Sequence, residues 1–421
     1  MYDLVLIKPK LTNMIDAFGG LTLSLILLQS WLQYYTNYKI KVIHMDEYDN
    51  DYNIIPESIS YGISFNTAQV VEAKKLYDHI KEKQPNSKII GGGPHPSALP
   101  FHSIENGLCD YVVRGFGEQA LLSFLKNGLD LDYMISKDHS KYGPEIDLDK
   151  NVCYNKSFDF ETYSSIILNY SDVMFDKYIA LNILTSIGCA YNCNFCSRLV
   201  SKVCSYPKEF VLKNLSNLYL LKKSETSLFF LDDDIFFKFE KKLDYFKLCK
   251  ITGIKFRCSG RFDGINVERA KILKESGCIE IKLGLESGSE KILQKMNKHL
   301  DPLIVKGKCD LLDEIGLKYG LFLIADYLGE SLDDINKTID LVKNLNPTSI
   351  RTSTYVPFPG SVDWYKLPLQ IKNMFQKNFY NFYTAGIDGL GGLNNTHTKL
   401  LNDKFGDLNV FKTINKSKGL K

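Results

Sequence analysis

Three of the ten cysteines of this chain fall within eight residues, in the stretch Gly188-Cys189-Ala190-Tyr191-Asn192-Cys193-Asn194-Phe195-Cys196-Ser197. The Cys-x3-Cys-x2-Cys spacing puts three thiolates on one loop, and iron–sulfur clusters are held by such thiolates. Three protein ligands leave one iron of a [4Fe–4S] cluster without a protein donor. An open metal position of that kind can take a substrate or cofactor directly. The alternatives are buried free thiols or a structural zinc site, which asks for a fourth ligand. None of the seven histidines lies nearby in sequence, and Cys204 is the close candidate. The remaining cysteines are scattered, and their density is not that of a disulfide scaffold.

The elements that must position this loop can be read from apolar runs. Over the first ~130 residues short strands alternate with amphipathic helices. Strands are predicted at Leu4–Ile7, Ile40–Met45, Ser58–Phe65, Lys88–Gly91 and Asp110–Arg114, and Ala68–Lys83 carries Val70, Val71, Ala73, Leu76, Tyr77 and Ile80 on one helical face. That alternation argues for a doubly wound parallel sheet, whose ligands bind beyond the carboxyl ends of the strands. Two Gly-rich turns sit there, Gly91-Gly92-Gly93-Pro94-His95-Pro96 and Arg114-Gly115-Phe116-Gly117-Glu118. A second series of strands follows at Leu181–Ser186, Ser227–Leu231, Lys255–Ser259, Ile279–Gly284, Gly320–Ala325 and Ile350–Tyr355, with helices such as Val267–Glu275 and Leu332–Leu345 between them. Six βα repeats predict a complete or partial parallel barrel with its chemistry at the carboxyl ends of its strands. The cysteine loop follows the first of these strands.

The division predicted is an N-terminal Rossmann-like domain over 1–136, a polar linker over 137–176, a barrel over 177–366 and a helical extension over 367–421. In the last, Phe375, Phe379, Tyr380, Phe382 and Tyr383 stand among lysines. A capping helix with its apolar side on the barrel is favoured there over a nucleic-acid-binding face. Composition is that of an ordinary globular chain and excludes a disordered or collagen-like one: 44% hydrophobic, 24% charged, and 52 basic against 49 acidic residues. A net charge of +3 is too small to imply nucleic acid or a charged membrane surface. The apolar stretch from Leu21 to Leu32 falls short of the ~20 residues that span a bilayer. The opening MYDLVLIKPK lacks the basic start of a signal peptide, so a cytoplasmic location is predicted.

With these residues in view, the second half of the chain resembles the radical S-adenosylmethionine (SAM) superfamily. Its CxxxCxxC loop follows the first barrel strand, and SAM chelates the fourth iron through its amino and carboxylate groups. Five further landmarks match in order. Phe230-Leu231-Asp232-Asp233-Asp234 stands where the family holds the methionine amino group, which assigns Asp232 and Asp233 to SAM. Ser259-Gly260-Arg261 ends the third strand, and Arg261 would make a fork contact to the SAM carboxylate, with a surface ion pair as the plain alternative. Lys282-Leu283-Gly284-Leu285-Glu286-Ser287-Gly288 resembles the GxESG stretch, where Gly284 admits adenosine, Glu286 takes the ribose hydroxyls and Ser287 follows. Leu328-Gly329-Glu330-Ser331 and Val356-Pro357-Phe358-Pro359-Gly360-Ser361 resemble the PGET and PxPGT turns.

The first domain resembles the cobalamin-binding domain joined to many radical SAM enzymes. The matching residues are Ser64, Gly92, Gly93, Pro94, His95, Arg114, Gly115, Gly117 and Glu118. Glycines would admit the nucleotide tail of cobalamin, and a serine hydroxyl would hydrogen-bond its base. The DxHxxG motif of cobalamin folds with a histidine ligand is absent, because the corresponding stretch reads Asp16-Ala17-Phe18-Gly19-Gly20-Leu21. This agrees with the branch that binds cobalamin base-off without a protein ligand. A degenerate domain that binds no corrinoid is the alternative.

The resemblance therefore implies an α/β chain with a doubly wound cobalamin-binding domain followed by a partial (β/α)6 TIM-type radical SAM barrel. The implied cofactors are a [4Fe–4S] cluster on Cys189, Cys193 and Cys196, SAM and cobalamin. The implied activity is methylation of an unactivated carbon in a small-molecule or peptide substrate, with an external flavodoxin- or ferredoxin-type reductant. A cobalamin-dependent rearrangement or cyclisation is the rival activity. Tyr327 and Tyr355, at predicted strand ends, are the candidates to face a substrate, and core packing is their alternative reading.

Overall fold

A computed structural model describes the chain apart from residues 12–20, 131, 137–153, 156–157, 198–199, 201, 223–225, 378–395 and 406–421. The expected strands form nearly where the apolar runs place them. In the first domain β1 (Tyr2–Lys8), β2 (Ile40–His44), β3 (Ser58–Ser64), β4 (Lys88–Gly92) and β5 (Tyr111–Val112) pair in parallel in the order β2-β1-β3-β4-β5. The strand expected at Asp110–Arg114 is broken, since β6 (Arg114–Gly115) leaves the sheet and β7 (Ile135–Ser136) closes the edge antiparallel to β5. β6 pairs instead with β8 (Tyr154–Asn155). Leu4 to Ile7 are buried on both faces, as a central strand flanked by helices requires. The strand order reverses between β1 and β3, so the crevice for a ligand opens at the carboxyl ends of those strands. Phe18 and its neighbours, the stretch that replaces DxHxxG, lie outside the described residues.

The second domain is a six-stranded parallel sheet in strict chain order. β9 (Ala180–Ile183) leads into a short antiparallel pair, β10 (Ser186–Ile187) with β11 (Cys204–Ser205). The sheet continues through β12 (Ser227–Phe230), β13 (Phe256–Gly260), β14 (Cys278–Glu286), β15 (Tyr319–Ala325) and β16 (Ser349–Thr354). The edge strands β9 and β16 are not paired with each other, which makes the barrel partial. Side chains alternate as a barrel demands. On β13 Phe256 and Cys258 are buried, and Phe256 stacks on Phe246 of the helix Leu243–Thr252 behind the sheet. Arg257, between them, points to the opposite side, where it donates to Ser227 Oγ at 2.6 Å.

The stretch assigned from sequence to a linker needs correction. From Phe160 to Tyr178 the chain is packed between the two domains, with Phe160, Tyr163, Ile166, Leu168, Tyr170 and Tyr178 buried. Tyr163 donates to Glu118 at 2.9 Å, and Trp31 Nε1 donates to Thr162 at 3.0 Å. Asn214, on the barrel helix Lys208–Leu221, caps the Leu168 amide at 2.7 Å. One apolar core consequently runs through both domains.

The aromatic C-terminal extension behaves as a cap where it is described. Phe375, in the helix Leu369–Lys377, is buried against Trp364. Phe379, Tyr380, Phe382 and Tyr383 lie outside the described residues. A second helix, Thr396–Phe405, starts over the ends of β15 and β16, with Thr398 Oγ1 donating to Asp326 at 2.7 Å. Among the described residues, no helix is long and apolar enough to cross a membrane.

Candidate functional site

The cysteine loop is a closed loop whose neck is the β10–β11 pair. Gly188 opens it at φ +91, and a Cβ there would lie 2.5 Å from the Lys202 carbonyl oxygen, so the turn requires glycine. Cys204 lies in the neck and donates its thiol to the Lys202 carbonyl. Outside the loop two segments hold it. Asn194 bonds through its backbone N–H to the Met296 carbonyl and through Nδ2 to that of Lys295, both at 2.8 Å, and Asn297 Nδ2 donates to the Asn192 carbonyl at 2.7 Å. From the other side Ser197 Oγ donates to the Pro359 carbonyl, and the Asp363 amide to that of Asn194.

Cys193 is buried, Cys189 half-buried and Cys196 exposed. Burial, reinforced by the carboxylates of Asp233 and Asp234, pushes the Cys189 thiol pKa up, so metal binding must release its proton. Among the described residues no three Cys, His, Asp or Glu side chains converge on a single-ion site. A cluster asks for something different, one thiolate on each of three irons. Three thiols spread along a loop braced at both flanks fit that requirement.

The acidic run after β12 divides its labour, and Asp232 requires correction. Its carboxylate is buried and accepts from the Thr185 amide at 2.9 Å, the Thr185 hydroxyl, Ser186 Oγ at 2.8 Å and Lys242 Nζ at 2.9 Å. Three donors crowd Oδ2 and one holds Oδ1, so this carboxylate is committed to fixing the turn from β9 into the cysteine loop. Asp233 is exposed at the strand end. Asp234 is buried and accepts from the Phe236 amide at 3.1 Å.

Arg261 also departs from expectation. Its fork is turned to Asp263, with Nε and Nη2 at 3.1 and 3.0 Å from one carboxylate oxygen, and Nη2 also donates to the Lys298 carbonyl. Its guanidinium lies over the Tyr191 ring at 3.8 Å, and Nη1 is 3.8 Å from Cys193 Sγ. Ser259, two residues earlier on β13, uses its carbonyl to accept the Ile235 amide.

Glu286 ends β14 at φ +64, after a register shift between Gly284 and Glu286. The shift folds its carboxylate back over Gly284, where a Cβ would come within 2.4 Å of Oε1. Lys298 Nζ pairs with that oxygen at 2.8 Å, and both side chains are buried. Ser287 is fully buried and bonds to Thr338 and the Ser289 amide, a structural task. Glu286 borders a cavity of about 270 Å³ at the carboxyl ends of β14 to β16, lined also by Phe195, Phe322, Ile324, Arg351 and Tyr355. Phe195 belongs to the cysteine loop, so cavity and loop adjoin.

Tyr327 and Tyr355 are locked together. Both hydroxyls donate to Asp363 Oδ2, at 2.7 and 2.8 Å, and the ring centroids are 4.5 Å apart. Burial, and then Asp363, raises both phenol pKa values far above the usual range. Their hydroxyls are committed to Asp363, which agrees with the packing alternative, although Tyr355 also borders the cavity. Lys298 and Asp363 are the site residues that sequence reasoning missed. In the sequence Lys298 is marked only by its place in Lys295-Met296-Asn297-Lys298, and Asp363 only by standing three residues after Gly360.

At the carboxyl edge of the first sheet, Ser64 ends β3 and Gly92 ends β4. A Cβ on Gly92 would meet nothing within 4 Å, whereas Gly93, at φ +90, lies so close to Ser64 Oγ that a Cβ would sit 2.9 Å from it. Pro94 is exposed and opens the helix Pro94–Ala98. The serine and both glycines thus form an open notch. The other matched residues build its wall. His95 is buried, with Nδ1 3.1 Å from Thr67 Oγ1 and Nε2 3.2 Å from His102 Nδ1, so neither nitrogen is available as a metal ligand. Arg114 Nε donates to the Ser97 carbonyl at 2.8 Å, and the Gly115 amide donates to Ser97 Oγ at 3.1 Å. Gly117 makes room for Leu28, and Glu118 is turned inward to Tyr163.

The two edges meet. Ala98 and Leu99, at the end of the helix behind the glycine notch, share an apolar cluster with Met296, Tyr327, Tyr355 and Phe195. A Cβ on Gly360 would touch Ser197 Oγ at 2.8 Å on one side and Ala98 Cβ at 3.3 Å on the other.

Comparison with known proteins agrees with this geometry. The radical SAM superfamily model matches residues 183–342, and the B12-binding domain model matches residues 58–125. An uncharacterized methyltransferase of Pyrococcus horikoshii is 27% identical over 329 residues, 72% of this chain and 68% of that one. Bacteriochlorophyllide d C-12(1)-methyltransferase of Chlorobaculum tepidum is 25% identical over 304 residues, 70% of this chain and 62% of that one. Among solved structures, the radical S-adenosylmethionine methyltransferase TsrM from Kitasatospora setae superposes with a TM-score of 0.68 at 14% identity, over 86% of this chain and 76% of that one. The cobalamin-dependent S-adenosylmethionine radical enzyme OxsB gives 0.65 at 20% identity, over 91% and 56%. At such identities these two structures speak to the fold.

Proposed function

We propose, for a chain that belongs to the radical SAM superfamily and carries a B12-binding domain, that it is a cobalamin-dependent methyltransferase acting on an unactivated carbon of a small-molecule or peptide substrate. The observation that carries this reading is the meeting of the two strand edges. The glycine notch of one sheet and the cysteine loop of the other are joined through Ala98, Gly360 and Ser197, so groups bound at both edges address one space. The names of the two curated relatives, both methyltransferases, support the same reaction class.

When bound, the cluster with SAM supplies a radical that removes hydrogen from carbon, and the corrinoid supplies the methyl group. The chain's own work is to bind, orient and exclude. Cys189, Cys193 and Cys196 would hold three irons. Gly284 and Glu286 would receive the SAM nucleoside, with Ser259 and Asp233 at neighbouring strand ends. Ser64, Gly92, Gly93 and Pro94 would admit the corrinoid tail. Phe195, Phe322 and Ile324 line the cavity with apolar surface, which would limit the water beside a reactive intermediate once ligands fill it. The small net charge supports a partner set without nucleic acid. An external one-electron reductant and a cytoplasmic location belong to the same proposal, as the resemblance to radical SAM enzymes implies for the first and the opening residues for the second.

The test is made on protein purified without oxygen. Hydroxocobalamin should be retained through gel filtration, and the reduced corrinoid should show no nitrogen superhyperfine splitting, since His95 is occupied by Thr67 and His102. With substrate, 5′-deoxyadenosine and S-adenosylhomocysteine should accumulate together, and deuterium from methyl-labelled SAM should enter the product. Turnover without label transfer refutes methylation and leaves a rearrangement or cyclisation. A protein that retains no corrinoid refutes cobalamin dependence.

A further inference from the structure

Arg261 is turned to Asp263 and to the cysteine loop, and this orientation has its own chemistry. Three anchors fix the guanidinium: the Asp263 carboxylate at 3.0 and 3.1 Å, the Lys298 carbonyl, and the face of Tyr191. The side chain is buried, with 7% of its surface accessible, so it is not averaged over rotamers by solvent. Nη1 is the nitrogen these anchors leave over, and it points at Cys193 Sγ from 3.8 Å. Tyr191 and Cys193 belong to the same loop, so the arginine and the sulfur are held by one short stretch of chain.

We infer that Arg261 tunes the cluster: its Nη1–H donates a hydrogen bond to the Cys193 thiolate and raises the reduction potential of the iron–sulfur group bound there. The inference rests on the cluster reading proposed above. The physical reason is charge. Reduction adds an electron to a cluster already surrounded by thiolates, and a fixed cationic donor on a ligand sulfur stabilises the more negative state. Burial strengthens the effect, because little water intervenes to screen it. Asp263 offsets part of the charge but leaves the donor in place. Arginine suits the task better than lysine, since a planar fork can stack, pair with a carboxylate and still present a third N–H in a fixed direction.

The experiment is an EPR-monitored redox titration of the anaerobically reconstituted full chain, wild type against Arg261→Gln, each with its iron and sulfide content measured. The variant should keep its cluster and show a midpoint displaced to more negative potential. An unchanged or more positive midpoint at equal iron content overturns the inference and leaves the cluster reading standing. A second measurement does not depend on the variant folding. In wild-type protein carrying guanidinium-15N-arginine, pulsed EPR of the reduced cluster should detect a 15N coupling, and its absence overturns the inference. A wild-type chain that assembles no cluster defeats both readings.

Discussion

Removing the Lys298 ammonium should weaken SAM binding through Glu286. The Glu286 carboxylate is 8% exposed, stands on a backbone at φ +64, and is paired with Lys298 at 2.8 Å. Breaking a fully buried pair by deleting one partner costs ~3–5 kcal/mol, because the remaining charge is left uncompensated. Glu286 also borders the 270 Å³ cavity, where water can reach it. The destabilisation for Lys298→Met should accordingly be nearer ~2 kcal/mol. The effect on the ligand has a separate origin. A carboxylate accepting from ribose hydroxyls contributes ~1.5–3 kcal/mol only while it is aimed, and released from Lys298 it can rotate into the cavity. Losing that aim corresponds to roughly 10- to 150-fold in Kd. Titration calorimetry of SAM into the reconstituted protein reads the affinity, and urea unfolding under the same conditions reads the stability. A double-mutant cycle decides the mechanism: Glu286→Gln and Glu286→Gln/Lys298→Met should bind SAM equally weakly. Additive losses, or wild-type affinity in Lys298→Met, refute the claim that Lys298 acts by orienting Glu286.

Three further outcomes follow from the site. The triple variant Cys189→Ala/Cys193→Ala/Cys196→Ala should retain no iron by chemical analysis, whereas single alanine changes at Cys204, Cys258 or Cys278 should leave the iron content unaltered. Tyr327→Phe should lower unfolding stability by ~1.5–3 kcal/mol, the value of a hydrogen bond to a buried charged partner, without changing turnover per assembled cluster. His95 makes stability depend on pH: burial, then His102, pushes its pKa well below 6.5, so on acidification the unfolded chain takes up a proton that the folded one refuses. Stability should therefore fall as pH drops below about 6.5, and urea midpoints for His95→Gln should show a shallower fall over that range.

The ease with which each part of this molecule could be read from its sequence tracks the range of the interaction that determines it. β15 declares itself as a local run of apolar residues, β14 by apolar residues alternating with charged ones, and the cysteine loop because its ligands are seven residues apart at most. The Phe160–Tyr178 segment is hard to read because its only regular elements are two single 3-10 turns, Phe160–Tyr163 and Phe175–Lys177. Its apolar residues follow no period, and they are buried only because two domains close on them. Asp232 and Asp233 are adjacent and chemically identical, but one faces Thr185, Ser186 and Lys242 and the other faces solvent. The half-turn between successive strand-end residues decides it.

Arg261 carries the same lesson to the chemistry. The end of β13 brings it beside the cysteine loop, yet what it meets depends on Asp263 two residues away, Lys298 thirty-seven away and Cys193 sixty-eight away. Lys298 in turn lies in the segment 295–298, whose backbone and Asn297 side chain grip the cysteine loop at Asn192 and Asn194. One four-residue stretch, following the short helix Glu290–Lys295, therefore bonds to the cluster loop, to the arginine beside Cys193 and to the carboxylate over Gly284. The site is built as a strut with three attachments, and that predicts a coupling the individual residues do not. Asn297→Ala leaves every proposed ligand in place but removes the brace at Asn192, and φ +52 at position 297 disfavours the replacement further. It should slow cluster assembly and weaken SAM binding together. Asn297→Gly, which accepts the backbone but not the hydrogen bond, separates the two causes. If Asn297→Gly matches wild type in both measurements, the segment is a spacer and not a strut.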